Sequence, residues 1–382
     1  MMENFQFHNP TKIIFGKGSI KYIGNEIANS NIKKILLLTG SGSIKQNGVY
    51  QQVIDSLNRS KIEIIEFWGV RPNPTLEHAN KVIETVKSEN IEAILAVGGG
   101  SVIDEAKSVA AGVYVDNLWS IFEKKTIVRK ALPLFVVLTL SATGTEMNPF
   151  AVLSNEAELK KWSFGSPFVY PKVSIIDPSV QSTLPRRQTA NGGVDSLSHL
   201  MENYFMGELS AEISLSLNEA TQRTVIRQID KLMENPDDYE ARANFAWSST
   251  IALNGMTSVA LGGGEWTTHA IEHALSAINP QIAHAEGLAV MFPAWIKYVY
   301  DAKPYIFERW AKNVWDGNST LEAVNKMQQK YRDWGSPTTL TELGFTKSDF
   351  PQIIKCIVEY GRVGRIKQLK ESDFEKILEI AL

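Results

Sequence analysis

The sequence predicts a two-domain chain, an α/β N-terminal domain on a mainly parallel sheet followed by an all-α C-terminal domain. Three observations predict it. The 382 residues exceed what one hydrophobic core usually organises. Up to about residue 178, short branched-aliphatic runs alternate with helical patterns. From about Arg186, strand signals become sparse and apolar residues recur at three- and four-residue intervals. The boundary follows: residues 1–185 form the α/β domain and residues 186–382 the helical domain.

Taken in order, KKILLLTG predicts a strand ending at Gly40, Val49 to Leu57 a helix, IEIIEF a strand, Leu76 to Lys87 a helix, IEAILAVGGG a strand, and Val102 opens a helix. LPLFVVLTL and VSIIDP add two more strands. Continuous apolar strands, rather than alternating ones, imply burial on both faces and hence a parallel sheet covered by helices. Beyond Arg186, GVDSLSHLMENYF, EARANFAWSSTIALNGM and EGLAVMFPAWIKYVY read as helices.

Composition excludes several classes. Hydrophobic residues are 44% and charged ones 21%, ordinary for a globular chain and unlike a disordered, collagenous or coiled-coil one. A formal net charge of -3 lacks the basic footprint of a nucleic-acid binder. The single cysteine, Cys356, cannot form an internal disulfide and suits a reducing compartment. MMENFQFHNPTK lacks the apolar stretch of a signal peptide. The apolar run Ala131–Leu140 is about half the roughly 20 residues that span a bilayer. A cytoplasmic protein with no membrane partner is expected.

Three polar turns follow successive strands. Gly98, Gly99, Gly100 and Ser101 end a strand and open a helix, bringing N–H groups and a positive helix end within reach of a phosphate. The segment also reads as a plain helix cap, with Ser101 as N-cap and Asp104 completing a capping-box-like pair. Gly40, Ser41, Gly42 and Ser43 form the second turn and Arg71-Pro72-Asn73-Pro74 the third. Convergence at the C-terminal ends of parallel strands is where such sheets bind nucleotides. No carboxylate occupies Thr39 to Ser43, which favours NADP(H) over NAD(H), with Ser41, Ser43 and Lys45 as donors to a 2′-phosphate.

The six histidines are unevenly spread. His199, His269, His273 and His284 fall within 86 residues of the helical half. Asp195 and His199 are four apart, as are His269 and His273, so each pair shares one helix face. Helices facing one another can converge such side chains on one metal. Asp195, His199, His269 and His284 give one carboxylate and three imidazoles, suited to Fe²⁺ or Zn²⁺ rather than Mg²⁺ or Ca²⁺. His8 and His78 read as surface or packing residues.

GGGSVIDEAK at 98–107, LTLSATGTEMN at 138–148, IDPSVQSTLPRRQTANGGVDSLSHLMENY at 176–204 and EWTTHAIEHALSAINPQIAHAEGLAVMF at 265–292 together resemble the iron-containing, or group III, alcohol dehydrogenases. The resemblance is to their NADPH-dependent butanol dehydrogenase and aldehyde reductase branch, and it runs from FHNPTKIIFGKGSI to SDFEKILEIAL. It implies a Rossmann-like N-terminal domain and a helical domain as in dehydroquinate synthase. It implies Asp195, His199, His269 and His284 as metal ligands and His273 as a proton-relay residue near the substrate oxygen. It implies cofactor contacts at Gly98 to Ser101, near Asp104, and at Asn73, Thr139, Leu140, Thr143 and Leu184. Lys161, or its neighbour Lys160, matches the lysine that reaches the nicotinamide ribose. The chain departs from the family pattern at Ala285, where glycine is common, at Ser141, where this branch often has proline, and in a longer INPQIA loop.

The implied reaction is hydride transfer between NAD(P)H and short- to medium-chain aldehydes or primary alcohols, with Trp266, Phe150 and Leu261 reading equally as an apolar wall or as core. Two other readings stay open from the residues: a cyclising sugar-phosphate lyase like dehydroquinate synthase using NAD transiently, and a nucleotide sensor without chemistry. The lyase would need cationic side chains among the ligands, yet residues 195–204 and 265–292 hold no Lys or Arg. A homodimer is expected, with Phe5 to Phe15 as an edge strand.

Overall fold

A computed structural model describes residues 2–361 and 364–382. Among the described residues eight strands form: β1 (Lys12–Phe15), β2 (Lys34–Thr39), β3 (Glu63–Phe67), β4 (Ala93–Gly98), β5 (Leu134–Leu138), β6 (Phe150–Asn155), β7 (Lys160–Gly165) and β8 (Val173–Ile176). The helices among them are α1 (Ile23–Asn29), α2 (Ser43–Gln46), α3 (Val49–Arg59), α4 (Leu76–Ser88), α5 (Gly100–Gly112) and α6 (Trp119–Phe122). After β8 come α7 (Arg186–Tyr204), α8 (Glu212–Glu234), α9 (Tyr239–Ala252), α10 (Thr267–Ile278), α11 (His284–Val299), α12 (Pro304–Trp315), α13 (Thr320–Trp334), α14 (Phe350–Tyr360) and α15 (Glu371–Ala381).

Contacts divide the chain into two units. The first comprises His8–Leu184 with Pro236–Thr250, and the second Met1–Phe7, Pro185–Asn235 and Ile251–Leu382. In the first unit six strands form one parallel sheet in the order β1-β8-β5-β4-β2-β3. The aliphatic runs explain it. Leu36, Leu38, Ile94, Ala96, Leu134 and Val136 face one core, and Ile35, Leu37, Leu95, Val97, Phe135 and Val137 face the other. Because both faces are covered, every second residue can be apolar on either side.

Chain order reverses around β2, whose neighbours are β3 on one side and β4 on the other. Such a reversal opens a crevice beyond the strand C-termini. The turns after β5, β4, β2 and β3 lie at those ends, and hydrogen bonds tie three of them to their neighbours. Val70 N donates to Thr39 O at 3.2 Å, Gly69 N to Gly40 O at 3.3 Å, and Thr139 N to Gly98 O at 3.0 Å.

Two features differ from the sequence expectation. The edge strand covers only Lys12–Phe15, because Asn9 and Pro10 break the pattern before it: Asn9 Oδ1 accepts from Thr11 N and Asn9 Nδ2 donates to Met147 O. Strands β6 and β7 form a separate antiparallel hairpin, which the sequence did not announce. Its signals, AVLSN and KKWSF, are short and mix polar with apolar residues.

In the second unit α7 packs on α8, α11 and α13, and α10 on α11 and α14. Glycine permits two of these approaches. A Cβ at Gly193 would stand 2.6 Å from Ile229 Cγ1, and one at Gly287 would stand 2.7 Å from Glu272 Cγ. Among the described residues no helix is long and apolar enough to cross a membrane.

Candidate metal centre and cofactor turns

Helix α7 supplies Asp195 and His199, α10 supplies His269 and His273, and the first residue of α11 is His284. Asp195, His199 and His269 are buried, with one ligand atom from each lying within 4.8 Å of the others. Asp195 Oδ1 is 3.8 Å from both His199 Nδ1 and His284 Nε2. Ligands about 2.1 Å from a tetrahedral metal stand roughly 3.4 Å apart, so these side chains need little movement to share one ion. The ring centroids of His199 and His269 are 5.0 Å apart, and those of His269 and His284 are 5.3 Å apart.

Two carboxylates orient the imidazoles. Glu202 Oε1 pairs with His269 Nδ1 at 2.7 Å and also accepts from the Thr268 hydroxyl, so His269 Nε2 faces the cluster. Glu272 takes His284 Nδ1 and the Ser276 hydroxyl, leaving His284 Nε2 for the Asp195 side. The pattern crosses between helices: the α7 carboxylate serves an α10 imidazole, and the α10 carboxylate serves an α11 imidazole. Gly287 makes the second reach possible by letting Glu272 lie against α11. Such outer partners fix the tautomer and raise ligand basicity.

The residues fit a metal. His269 Nε2 and His199 Nδ1 are buried and have no hydrogen-bond partner among the described residues. Burial, and then His269 and His284, hold His199 well below the usual histidine range, so it stays neutral and able to ligate. Burying a carboxylate costs several kcal/mol unless it is compensated, and Asp195, Glu202 and Glu272 are all buried here. Hydrogen bonds from Trp266 N, Thr268 and His269 compensate Glu202, and those from Ser276 and His284 compensate Glu272; a divalent cation among the four candidate ligands would add to that compensation.

His273 lies beside this set, its ring 5.5 Å from His284 and 5.6 Å from Tyr360. The wall candidates differ in burial. Trp266, partly buried, has its ring 5.1 Å from His269 and 6.4 Å from His199. Leu261 is fully buried against Gly207, which favours core over wall of its two readings. Phe150 is half-exposed at the start of β6 in the α/β unit.

At the sheet edge, α5 begins at Gly100 with Gly99 as its N-cap, so Ser101 is inside the first turn and the capping-box alternative fails. Gly98, Gly99 and Gly100 are small for packing reasons too. A Cβ at Gly99 would stand 3.2 Å from Leu140, and one at Gly100 would stand 2.7 Å from Thr143, so the turn after β5 rests on the glycine turn. The Asp104 carboxylate accepts from the Thr145 hydroxyl at 2.6 Å and from Val152 N at 3.1 Å, which directs it to that turn and the hairpin.

Ser41 and Ser43 are exposed, and Gly42 turns into α2 with φ 116. The Lys45 ammonium lies 4.2 Å from the Trp68 ring centroid and 5.1 Å from that of Tyr50. Asn73, with φ 53, makes the third turn. Lys160 and Lys161 point to opposite faces of β7: Lys160 pairs with Glu158 at 2.5 Å, whereas Lys161 is buried. Leu184 closes the α/β unit, near Gln181, whose Oε1 accepts from Ser141 N at 3.3 Å.

Sequence reasoning missed Glu202, Glu272 and Lys107. The first two had a signal, since each lies three residues after a candidate ligand histidine, at His199 and His269. Lys107 had none. It is fully buried and donates to Thr145 Oγ1, Asn148 O, Asn148 Oδ1 and Phe150 O, at distances from 2.7 to 3.1 Å. His78, read as packing, is ion-paired to the buried Glu105 at 2.5 Å.

Comparison with known proteins agrees with this geometry. The iron-containing alcohol dehydrogenase model matches residues 10–178, and the Fe-containing alcohol dehydrogenase C-terminal model matches residues 189–382. The chain is 38% identical over 390 residues to a probable NADH-dependent butanol dehydrogenase of Bacillus subtilis, covering 100% of both. It is 35% identical to the Escherichia coli NADPH-dependent aldehyde reductase YqhD, covering 94% of each. The crystal structure of NADH-dependent butanol dehydrogenase A from Thermotoga maritima superposes with a TM-score of 0.97 at 49% identity, covering 100% of this chain and 99% of that one. With the two family models spanning residues 10–178 and 189–382 and a relative covering the full length, the chain belongs to the iron-containing alcohol dehydrogenase family and is an oxidoreductase.

Proposed function

We propose that the chain is a metal-dependent aldehyde reductase and alcohol dehydrogenase that prefers NADPH and acts on short- to medium-chain aldehydes and primary alcohols. The observation that carries this reading is the buried set Asp195, His199 and His269, with the half-buried His284 Nε2 3.8 Å from Asp195 Oδ1 and with Glu202 and Glu272 orienting two of the imidazoles. A divalent metal in that set, Fe²⁺ or Zn²⁺, supplies a Lewis acid for the carbonyl oxygen. The nicotinamide ring supplies or accepts the hydride.

The chain's own residues perform the rest. Glu202 and Glu272 keep the Nε2 atoms of His269 and His284 turned inward. Burial keeps His199 neutral. His273 moves a proton to or from the substrate oxygen. The turns at Gly98–Ser101 and Thr139–Thr143 hold the pyrophosphate, with Asn73, Lys161 and Leu184 completing the cofactor set. Preference for NADPH rests on the absence of any carboxylate from Thr39 to Ser43, on exposed Ser41 and Ser43, and on Lys45 held over Trp68. Relatives carry both NADH- and NADPH-dependent names. A homodimer through the open side of β1 accompanies this reading; light scattering is expected to give twice the chain mass.

The test compares NADPH and NADH oxidation with butanal, using metal-stripped protein and protein reloaded anaerobically with Fe²⁺ or Zn²⁺. Metal-dependent turnover favouring NADPH is expected. Loaded protein without turnover on either cofactor would overturn the reading, and equal use of both cofactors would overturn its cofactor preference.

A further inference from the structure

The segment before α10 is built around an unusual main chain. Gly262, Gly263 and Gly264 have φ of 75, 83 and 84, and Trp266, not a glycine, has φ 64. A bulky residue in the left-handed region persists only where its surroundings over-determine it, and they do. Trp266 N donates to Glu202 Oε2, and its indole Nε1 donates to Gly263 O at 3.0 Å. Gly264 has no side chain where one would strike that indole, since a Cβ there would stand 2.2 Å from Trp266 Nε1.

The loop is tied again from the far end of the sequence. One guanidinium nitrogen of Arg365 donates to Gly262 O at 2.6 Å and to Gly264 O at 2.7 Å. Arg365 N and Ile366 N both donate to the buried Glu265 Oε2 at 2.8 Å. These bonds fix the position of a ring that is partly buried and packed edge-on against His269, with an interplanar angle of 69°. Leu261, four residues upstream of Glu265, is in the core and presents nothing to a ligand.

We propose that Trp266 is the specificity-determining wall for the substrate's carbon chain and that Arg365 is the positioning residue that latches it in place. This rests on the proposed aldehyde and alcohol activity. A carbonyl oxygen held among Asp195, His199, His269 and His284 has its alkyl chain beside an indole that touches two of those imidazoles. The rigid indole sets how long or branched a chain the site accepts. Arg365, exposed and remote in sequence, acts through the loop.

The experiment measures kcat/KM for butanal and octanal with NADPH in the metal-loaded protein and in Trp266→Ala, Arg365→Ala and Arg365→Lys. The octanal-to-butanal ratio is expected to rise about tenfold in Trp266→Ala, the scale on which apolar pockets discriminate chain length. Arg365→Ala is expected to raise the ratio about threefold through KM, with kcat on butanal retained and Arg365→Lys reverting in part. A purely structural role would lower thermal stability without moving the ratio. An unchanged ratio in Arg365→Ala would overturn the latch, and an unchanged ratio in Trp266→Ala would overturn the wall. Should the starting protein reduce neither aldehyde, the activity reading fails by itself. The wall is then read from Co²⁺-loaded protein, as the change in the affinities of butanol and octanol that shift its visible spectrum on Trp266→Ala.

Discussion

A methyl group added at Gly100 would stand 2.7 Å from Thr143, and one added at Gly287 would stand 2.7 Å from Glu272. The two glycines serve different ends. Gly100 lets a neighbouring turn settle on the start of α5, so that main-chain N–H groups form the candidate cofactor cradle. Gly287 lets a buried carboxylate reach across to orient His284. The candidate cofactor turns of the α/β unit are therefore backbone shaped by small residues, whereas the candidate metal centre of the helical unit is built from buried charged side chains held by hydrogen bonds. The first depends on the absence of bulk; the second depends on the absence of bulk at Gly287 and also on the charge of its side chains.

Four predictions probe that contrast, from the largest effect to the smallest. Asp195→Ala is expected to abolish metal retention and lower aldehyde reduction by about 10³-fold, the scale of losing a principal electrostatic group, while NADPH binding persists. Metal analysis, turnover and fluorescence titration of NADPH check this, and a parallel loss of NADPH affinity would break the contrast. Glu202→Gln keeps the volume but removes the charge behind His269, and metal affinity measured by chelator competition should fall by about 10- to 100-fold. Gly100→Val crowds Thr143 and should weaken NADPH binding by about tenfold, the lower end of overpacking costs, with metal affinity unchanged. Lys45→Ala removes an exposed charge and should reduce the preference for NADPH over NADH by about threefold, since exposed charges contribute little. Steady-state ratios for the two cofactors measure it.

The same contrast explains what the sequence disclosed. Parallel strands were legible because burial on both faces leaves unbroken runs such as ILLL and AILAV, and the candidate ligands stood out because histidine is scarce and spaced by four. The β6–β7 hairpin was not, since its strands are short and its partner is only itself. Leu261 read equally as wall or core because an apolar residue near a site carries no sign of which way it faces. Glu202 and Glu272 lay in view, three residues after His199 and His269, yet each serves a histidine on another helix, a pairing that spacing cannot show. Lys107 was invisible because its four acceptors, three of them backbone or hydroxyl groups, come from a turn about forty residues away.

The most direct measurement replaces the native metal with Co²⁺ and follows its visible absorption. The account predicts one Co²⁺ per chain in an intense low-coordinate spectrum, lost in Asp195→Ala and in His284→Ala, with butanal turnover tracking occupancy. No Co²⁺ binding, or a spectrum unaltered in those two variants, would contradict it.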